Sequence, residues 1–369
     1  MGAAFTRFIL SAALVLLTSS ACAEHVSFPE GATPPSFEAD YLVTDTPLST
    51  AQLTVTIAGD CTLGGTESSS KKADSLSKTV QKEGLAYPFS GLLPLFSQDD
   101  LTLVNLEGVL SDSSQGENTQ KQFAFRGPLE FARMLPLGSV EAVNLANNHF
   151  DDYGKAGRDF TLAALDKQGV AYAGNEWLCV YRTDRGKIGL AGIRGSLTED
   201  KKETIKKQIA LLKEADCQII IYSLHAGQEY AYKHNGLQRD MAQFLIDAGA
   251  DVVAGHHPHV AQGIEIYRNR LIFYSLGNCV FGGNHDPREK DALAARITFF
   301  LEGGILKSLQ AALHPIRFTG NTKGNSFRPE LLTDKQAEAL LKKVQQDTAF
   351  PLPVYEAGTG ALLPPIPAE

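Results

Sequence analysis

The chain has 369 residues, of which 43% are hydrophobic and 21% are charged, so its composition excludes a disordered or fibrous protein. Its 34 Lys and Arg residues are outnumbered by 42 Asp and Glu residues, which gives a net charge of -8 at pH 7. That balance argues against a general nucleic-acid-binding surface, and we expect no nucleic acid among the partners.

The first 23 residues have the pattern of an export signal. Arg7 precedes a short apolar segment, 8–17, that is far below the roughly 20 residues of a membrane-spanning helix. Two processing routes remain open. Ala21-Cys22-Ala23 is a small-x-small cleavage site, and Ser19-Ser20-Ala21-Cys22 resembles a lipoprotein signal that would leave Cys22 lipidated. We therefore expect an exported protein, periplasmic or extracellular, that is either soluble or anchored to a membrane through Cys22.

Residues 24–52 are rich in Pro, Thr and Ser and are predicted to form an extended spacer. From 53 to 318, short apolar runs alternate with amphipathic stretches, which is typical of a layered α/β domain with buried strands. The predicted strands are 53–58, 101–106, 141–146, 187–193, 218–224, 251–254 and 271–276, and the predicted helices are 154–168, 198–215 and 236–248.

Turn sequences predict that the sheets are mixed. Hairpin turns are expected at 184–187 and 268–270, and a longer hairpin at 294–313 around Gly303 and Gly304. The last segment, 319–369, is predicted to hold a charged amphipathic helix at 333–346 followed by a loose Pro-rich tail.

Five predicted strands each run into polar residues that could bind a metal or move a proton. In open α/β sheets the functional site forms outside the carboxyl ends of the strands, so these residues are expected to converge on one pocket. Carboxylate, amide and imidazole ligands suit Mn, Fe or Zn, and a carboxylate that bridges two ions could clamp a phosphoryl-type substrate. Pro258 favours an extended backbone before it, so His257 and His259 are predicted to face the same way. The set comprises Asp60, Glu107, Asn148, His149, Asp152, His225, Glu229, His257 and His259.

Six segments together resemble a known family. In chain order they are IAGDCTLGG (57–65), LVNLEGVLSD (103–112), VNLANNHFDDYG (143–154), SLHAGQEY (223–230), VVAGHHPHVAQG (252–263) and FYSLGNCVF (273–281). The pattern resembles the CapA (poly-γ-glutamate capsule biosynthesis) family, whose fold is similar to that of the calcineurin-like metallophosphoesterases. The resemblance implies a layered metallophosphatase-like α/β sandwich, with mixed central sheets flanked by helices, over 53–318.

The resemblance also implies a role for each residue. Asp60 and His259 would hold the first of one or two divalent ions, Asn148, His225 and His257 would hold the second, and Glu107 would bridge them. His149 would be the general acid that protonates the leaving oxygen, and Asp152 would orient it. Glu229 would lie beside the ligands, and Asn278 would hold a strand end together.

The sequence departs from the metallophosphoesterase pattern in ways that bear on the metal site. Those enzymes open with Asp-x-His, whereas the second residue after Asp60 is Thr62. Asn-Leu-Glu at 105–107 stands in place of Gly-Asp-x-x-Asp. A tight two-metal centre is therefore in question. His256 falls at a variable position, where it would either lie behind the ligands or be exposed.

Three residues near the site have two interpretations each. Cys61 and Cys279 could form a disulfide or contact metal, but buried, inert thiols are the favoured interpretation. Arg126 could bind an anionic substrate, since a guanidinium suits phosphate and carboxylate, or it could lie in a surface turn.

The resemblance favours an exported protein of capsule or poly-γ-glutamate biosynthesis or export, with a metal-dependent hydrolase activity. Its expected partners are an anionic polymer or phosphoester substrate and a membrane-bound capsule synthesis complex. Two other hypotheses remain open at this point: a non-catalytic protein that binds or assembles the polymer, and a general phosphodiesterase.

Overall fold

The computed structural model describes residues 22–27, 50–321 and 323–368. Most of the predicted export signal and most of the predicted spacer lie outside the described residues, and both stay predictions. The described strands are β1 (Cys22–Ser27), β2 (Thr50–Thr62), β3 (Leu101–Leu106), β4 (Val109–Leu110), β5 (Arg126–Gly127), β6 (Ala142–Asn144), β7 (Ala171–Ala173), β8 (Trp177–Thr183), β9 (Gly186–Arg194), β10 (Ile219–His225), β11 (Val252–His256), β12 (Ile264–Tyr267), β13 (Arg270–Phe273), β14 (Asn278–Phe281), β15 (Asp291–Glu302), β16 (Ile305–Arg317), β17 (Glu330–Leu331), β18 (Ala361–Leu362) and β19 (Ile366–Pro367).

Eight α-helices are described, and four of them begin with a side-chain cap. The eight helices are α1 (Glu67–Ser70), α2 (Leu76–Glu83), α3 (Leu93–Phe96), α4 (Met134–Leu137), α5 (Gly154–Gln168), α6 (Glu199–Glu214), α7 (Gly236–Ala248) and α8 (Asp334–Gln345). The four with a side-chain cap are α1, α2, α6 and α7. The side chain of Asn235 accepts a hydrogen bond from the backbone N–H of Gln238, and the side chain of Gln238 accepts one from the backbone N–H of Asn235, so α7 begins with a capping box. The same helix ends at Gly249, whose φ of 119° few other residues tolerate.

Two large mixed sheets form the centre of the molecule. One has the strand order β1-β8-β9-β10-β11-β13-β12, and the other has the order β17-β16-β15-β2-β3-β6-β7, with β14 paired to β2 and β18 and β19 paired to β16. The strands β9, β10, β11 and β13 are parallel in the first sheet, and β2, β3, β6 and β7 are parallel in the second. The predicted mixed sheets are therefore confirmed.

Three apolar layers hold the sheets and helices together. Residues such as Val55 and Ile297 of one sheet pack against Leu190 and Ile221 of the other. The outer face of the larger sheet packs on the early helices, and the outer face of the smaller one packs on α6 and α7. The order of layers is helix, sheet, sheet, helix, which is the expected layered α/β sandwich.

Two described segments near the chain ends form strands that the sequence does not predict. β1 spans the end of the predicted export signal and the start of the predicted spacer. It pairs antiparallel with β8, and Glu24 forms an ion pair with Arg182 at 3.2 Å. The prediction of a loose C-terminal tail is wrong for the described residues, because β18 and β19 hydrogen-bond to β16 and bury Ala361, Leu363 and Ile366. An open strand edge attracts such short pairings, which hydropathy patterns do not reveal.

Asp99 lies just before β3 at the amino end of the larger sheet, where it accepts a hydrogen bond from Thr102 Oγ1 at 2.8 Å. Burial raises the pKa of Asp99 to about 7. Between about pH 4, where an unfolded Asp titrates, and pH 7, the folded state holds a proton that the unfolded chain has released. Stability that Asp99 contributes in acid is therefore lost as the pH rises through this window.

Asp99→Asn should remove that loss and raise the free energy of unfolding near pH 8 by about 2 kcal/mol, a value discounted for the partial exposure of the residue. Urea unfolding at about pH 5 and pH 8 measures the effect, with the exposed Asp184→Asn as the matched control. The same pH dependence in wild type and Asp99→Asn would contradict this account.

None of the helices in the described part of the chain is long and apolar enough to cross a membrane.

Candidate metal centre

The carboxyl ends of the parallel strands of both sheets meet at one edge of the sandwich. Asp60 lies near the end of β2, Glu107 follows β3, Asn148 follows β6 and His225 ends β10. Two groups of potential ligand residues share Glu107, and within each group the ligand atoms all lie within 4.8 Å of one another. One group is Asp60, Glu107 and His259, and the other is Glu107, His225 and His257. These buried groups could hold a metal ion.

Glu107 is the clearest sign that this site could hold a cation. Its side chain is fully buried, and neither carboxylate oxygen has a hydrogen-bond partner in the described structure. The nearest imidazole nitrogens are Nε2 of His225, 3.6 Å from Oε1, and Nδ1 of His259, 3.9 Å from Oε2. Burial, reinforced by the charge of Asp60, raises the pKa of Glu107 well above its usual range. A carboxylate is costly to bury without a partner, and a divalent ion between these groups would supply one.

Asp60 is also fully buried, but its oxygens have partners. Asn105 Nδ2 donates to Oδ1 at 2.8 Å, and the backbone N–H of His257 donates to Oδ2 at 3.2 Å. Burial alone would raise the pKa of Asp60, but contacts with His256 and His259 hold it well below its usual value. Asp60 therefore remains a charged carboxylate, the form that a metal ligand needs.

His225 and His257 present neutral imidazoles to the site. Burial lowers the pKa of both side chains. Nε2 of His225 lies 2.6 Å from Oδ1 of Asn148, and Nδ1 of His257 is buried with no partner in the part of the chain that the structure describes. Neutral imidazole is the form that coordinates a metal, so the two rings are in the correct state. The structure thus brings Asn148 together with the two histidines predicted to share its ion.

The backbone at 257–259 differs from the sequence prediction. The expected extended segment is wrong, because His257 has a φ of 97° and His259 a φ of 57°, both in the left-handed region. Both imidazoles nevertheless face the site, together with the carboxylate of Glu229. Left-handed non-glycine residues cost conformational energy and cluster at functional sites.

His259 lies between the carboxylates of Asp60 and Glu107 and also contacts the side-chain amide of Asn278. Its Nδ1 lies 3.1 Å from Asp60 Oδ2 and 3.0 Å from Asn278 Oδ1. Burial opposes the charged form of His259, but the charges of Glu107 and Asp60 outweigh burial and raise its pKa to about 10. Asn278 begins β14 and is in register with Asp60 on β2, and its expected role in holding a strand end stays a prediction.

His149 and Asp152 form a hydrogen-bonded pair beside the metal ligands. His149 Nδ1 lies 2.7 Å from Asp152 Oδ2, which also accepts from the backbone N–H of Phe125 at 2.7 Å. Oδ1 of Asp152 is bound by the ammonium group of Lys121 at 2.5 Å. The ring of Phe125 lies 4.5 Å from that of His149. An imidazole oriented in this way could carry a proton to a leaving group.

Lys121 is a partner of Asp152 that sequence reasoning missed. Lys121→Met should lower the free energy of unfolding by about 1–3 kcal/mol, because it leaves one oxygen of a fully buried carboxylate without a partner. Lys155→Met is the matched control, since Lys155 pairs with Asp159 in solvent and should change stability by less than about 0.5 kcal/mol. Urea unfolding of the three proteins measures both effects, and equal stabilities would show that Lys121 does not hold Asp152.

Arg126 does not contact the predicted metal ligands. Its guanidinium donates to Ser111 O and to Glu67 Oε2, each at 2.9 Å, and lies 5.6 Å from the centre of the Tyr153 ring. Its predicted role in substrate binding stays a prediction. Glu229, by contrast, is an exposed residue whose carboxylate reaches His257 and His259.

Cys61 and Cys279 are buried free thiols, so no disulfide joins them. Burial and the neighbouring Cys279 raise the pKa of Cys61 well above its usual value. A thiol in that state is a poor ligand and a poor nucleophile. This agrees with the favoured interpretation of inert core thiols.

Asn105 was missed because no single-residue pattern identifies it, whereas His256 was predicted to lie either behind the ligands or exposed. Asn105 donates to Asp60 and accepts from Asn144 Nδ2 at 2.8 Å, so it fixes the first carboxylate from behind. His256 is buried, with Nδ1 3.4 Å from Asp60 Oδ1, so the exposed alternative is wrong. The register of β10 and β11 pairs His256 with His225, and this pairing would have been the signal for it.

The layered sandwich, with acidic and imidazole side chains collected at its strand ends, defines a protein of the calcineurin-like α/β fold. A family model described as "Bacterial capsule synthesis protein PGA_cap" matches residues 54–177 and 180–283, more than half of the chain. The chain therefore belongs to this family.

Curated relatives agree with this assignment. The chain is 28% identical over 255 residues to "Capsule biosynthesis protein CapA" of Bacillus anthracis, which covers 62% of this chain and 60% of the relative. It is 30% identical over 224 residues to "PGA biosynthesis protein CapA" of Bacillus subtilis, which covers 55% and 59% respectively. A "Probable polyglutamine synthesis accessory protein" of Mycobacterium tuberculosis is 30% identical over 254 residues, with 57% and 64% covered. The chain thus spans less than two thirds of the length of each of these relatives.

Proposed function

We propose that this protein is an exported, metal-dependent hydrolase that acts on an anionic polymer of the poly-γ-glutamate type during capsule biosynthesis or export. The observation that carries the hydrolase proposal is Glu107, a fully buried carboxylate with both oxygens unpartnered among imidazoles and a second carboxylate. The polymer is suggested by the family description and by the names of the relatives.

The donor set fits one or two ions of Mn, Fe or Zn. Two three-residue groups share Glu107, and the ligands are carboxylates and imidazoles rather than thiolates. A bound divalent ion would polarise the scissile group and would offset the negative charge of the substrate. The positive charge of the ion would also let a chain with a net charge of -8 bind an anionic polymer.

The protein's own residues would complete the chemistry. His149 would donate a proton to the leaving group, and Asp152 would hold the ring in the orientation that allows it. Two aromatic side chains lie beside the site: Phe281 lies 5.3 Å from the His259 ring and Tyr230 lies 6.2 Å from it. The ring of Phe281 is buried, whereas that of Tyr230 is half exposed.

The absence of the usual second histidine favours another candidate function. Thr62 occupies that position and supplies no imidazole to the first ion; it is buried, and its hydroxyl has no partner among the described residues. A non-catalytic protein that binds or assembles the polymer would tolerate this loss. The general phosphodiesterase hypothesis is a third outcome of the same test.

The test is to assay the exported chain, loaded with Mn, Fe or Zn, on γ-glutamyl oligomers and on phosphodiesters. Asp60→Ala is the matched variant. Cleavage of the oligomers that Asp60→Ala lacks would support the proposal, and cleavage of phosphodiesters alone would favour a phosphodiesterase. Polymer formation restored in a deletion strain by Asp60→Ala would favour the assembly role and overturn the hydrolase.

A further inference from the structure

A second group of polar nitrogens lies away from the metal centre, on the outer face of the larger sheet. Arg296 of β15 is opposite Ala312 of β16, and His314 of β16 is opposite Ala294. The adjacent residues Ile297 and Leu313 enter the core between the sheets, so Arg296 and His314 point to the other face.

This group is separate from the site already described. Arg296 is also opposite Thr56 of β2, which precedes Asp60 by four positions on the same strand. At about 3.3 Å per residue, roughly 13 Å of strand separates the two places.

A cavity of about 230 Å³ lies beside the two side chains. Its apolar walls come from Leu95, Leu331, Leu332 and the ring of Tyr355. Since a water molecule takes about 30 Å³ of liquid, this cavity has room for several waters or for one small organic acid.

The polar groups of the cavity are incompletely satisfied. Nη2 of Arg296 donates to Leu95 O, but Nε of Arg296 and Nε2 of His314 are buried without a partner in the described structure. His314 is only 7% exposed. No carboxylate of the described chain lies within 4.0 Å of the Arg296 guanidinium. Buried donors and charges are normally paired, so these atoms point to a missing anionic partner.

The carboxyl of Asp99 interacts electrostatically with the Arg296 guanidinium from more than 4.0 Å away, but it neutralises the positive charge only in part. Burial raises the pKa of Asp99 to about 7, so at neutral pH a large fraction of this carboxyl is protonated. The guanidinium therefore keeps a net positive charge facing the cavity.

We propose that this cavity binds a small aliphatic monocarboxylate, with its carboxylate on Arg296 and His314 and its aliphatic body against Leu95, Leu331 and Leu332. The planar fork of a guanidinium matches a carboxylate in a two-point hydrogen bond. Burial lowers the pKa of His314 to about 4, so at neutral pH its ring is uncharged and adds a hydrogen bond but no charge. One positive charge suits a monoanion better than a phosphate dianion.

The test is a titration of the exported chain with pentanoate, in which the NMR signals of the leucine methyl groups are monitored. The protein is treated with a chelator first, so that carboxylate binding at the metal centre cannot contribute. We expect saturable shifts of the Leu331 and Leu332 methyls, with a dissociation constant of about 1 mM, and much smaller shifts with pentanol or inorganic phosphate. This outcome does not depend on any hydrolase activity.

Two variants and a control locate the ligand. Arg296→Gln should weaken pentanoate binding roughly tenfold or more, because it removes the charge-assisted hydrogen bonds. Leu331→Phe fills part of the cavity, keeps both nitrogens, and should weaken binding as well. Arg268→Gln, at an exposed arginine on the β12–β13 turn, should leave it unchanged.

Three results would overturn the proposal. The first is an absence of methyl shifts with pentanoate. The second is a pentanoate dissociation constant within about twofold of wild type in both Leu331→Phe and a folded Arg296→Gln, and the third is binding of pentanol or phosphate as tight as that of pentanoate.

Discussion

Glu107→Gln should abolish metal binding and, at the same time, make the metal-free protein more stable. The substitution keeps the shape of the side chain but removes a carboxylate whose two oxygens are buried without partners. Burial raises the pKa of Glu107, so in the metal-free protein this carboxyl either takes up a proton or stays charged without a partner, and both are costly. The neutral amide avoids this cost, so the metal-free variant should gain about 1–3 kcal/mol in its free energy of unfolding.

Added metal should make wild type more stable than Glu107→Gln. A ligand that binds only the folded state stabilises it by about 2.7 kcal/mol at a concentration of 100 times its dissociation constant, and only wild type should gain this. Urea unfolding with chelator and with Mn or Zn measures both halves, and Glu203→Gln on the exposed face of α6 is the control. A metal-free Glu107→Gln that is less stable than metal-free wild type would show that Glu107 is already satisfied by the protein.

His149→Ala should lower the turnover of a confirmed substrate by about 10²–10⁴-fold while leaving the metal content unchanged. His149 is not one of the clustered ligand residues, and its Nδ1 is bound to Asp152, so its removal should affect proton transfer rather than metal binding. The effect should depend on the leaving group. A nitrophenolate or nitroanilide leaves without full protonation and should be slowed less than an alkyl leaving group.

Asp152→Asn is the companion variant, because it keeps the volume and changes the partner that orients the ring. It should show the same dependence on the leaving group, with a smaller loss. Equal slowing of good and poor leaving groups by His149→Ala would exclude His149 as the proton donor.

The location of the site could be predicted from the sequence for a simple physical reason. Asp60, Asn148 and His225 each follow a buried apolar run, and the carboxyl ends of parallel strands meet at one edge. The helix over 236–248 was equally predictable, because Asn235 and Gly249 mark its two ends.

Other features depend on tertiary contacts that local patterns do not contain. Lys121 sits in a long polar loop, and only the folded chain brings its ammonium to Asp152. Pro258 favours an extended backbone at His257, but the backbone there is left-handed, as it is at His259. In that conformation the backbone N–H of His257 donates to Asp60, a tertiary contact that outweighs the local preference. The pairing of the Pro-rich C-terminal segment with β16 depends on a free strand edge, which the tail sequence does not indicate.

The most direct test of the metal centre is the metal content of the purified 24–369 chain, measured by mass spectrometry beside an Asp60→Ala, His257→Ala double variant. The account predicts about one or two equivalents of Mn, Fe or Zn in the parent protein and a loss of that metal in the variant. No metal in the parent, even after incubation with each ion and desalting, would contradict it. The clustered carboxylates and imidazoles would then serve only to join the strand ends.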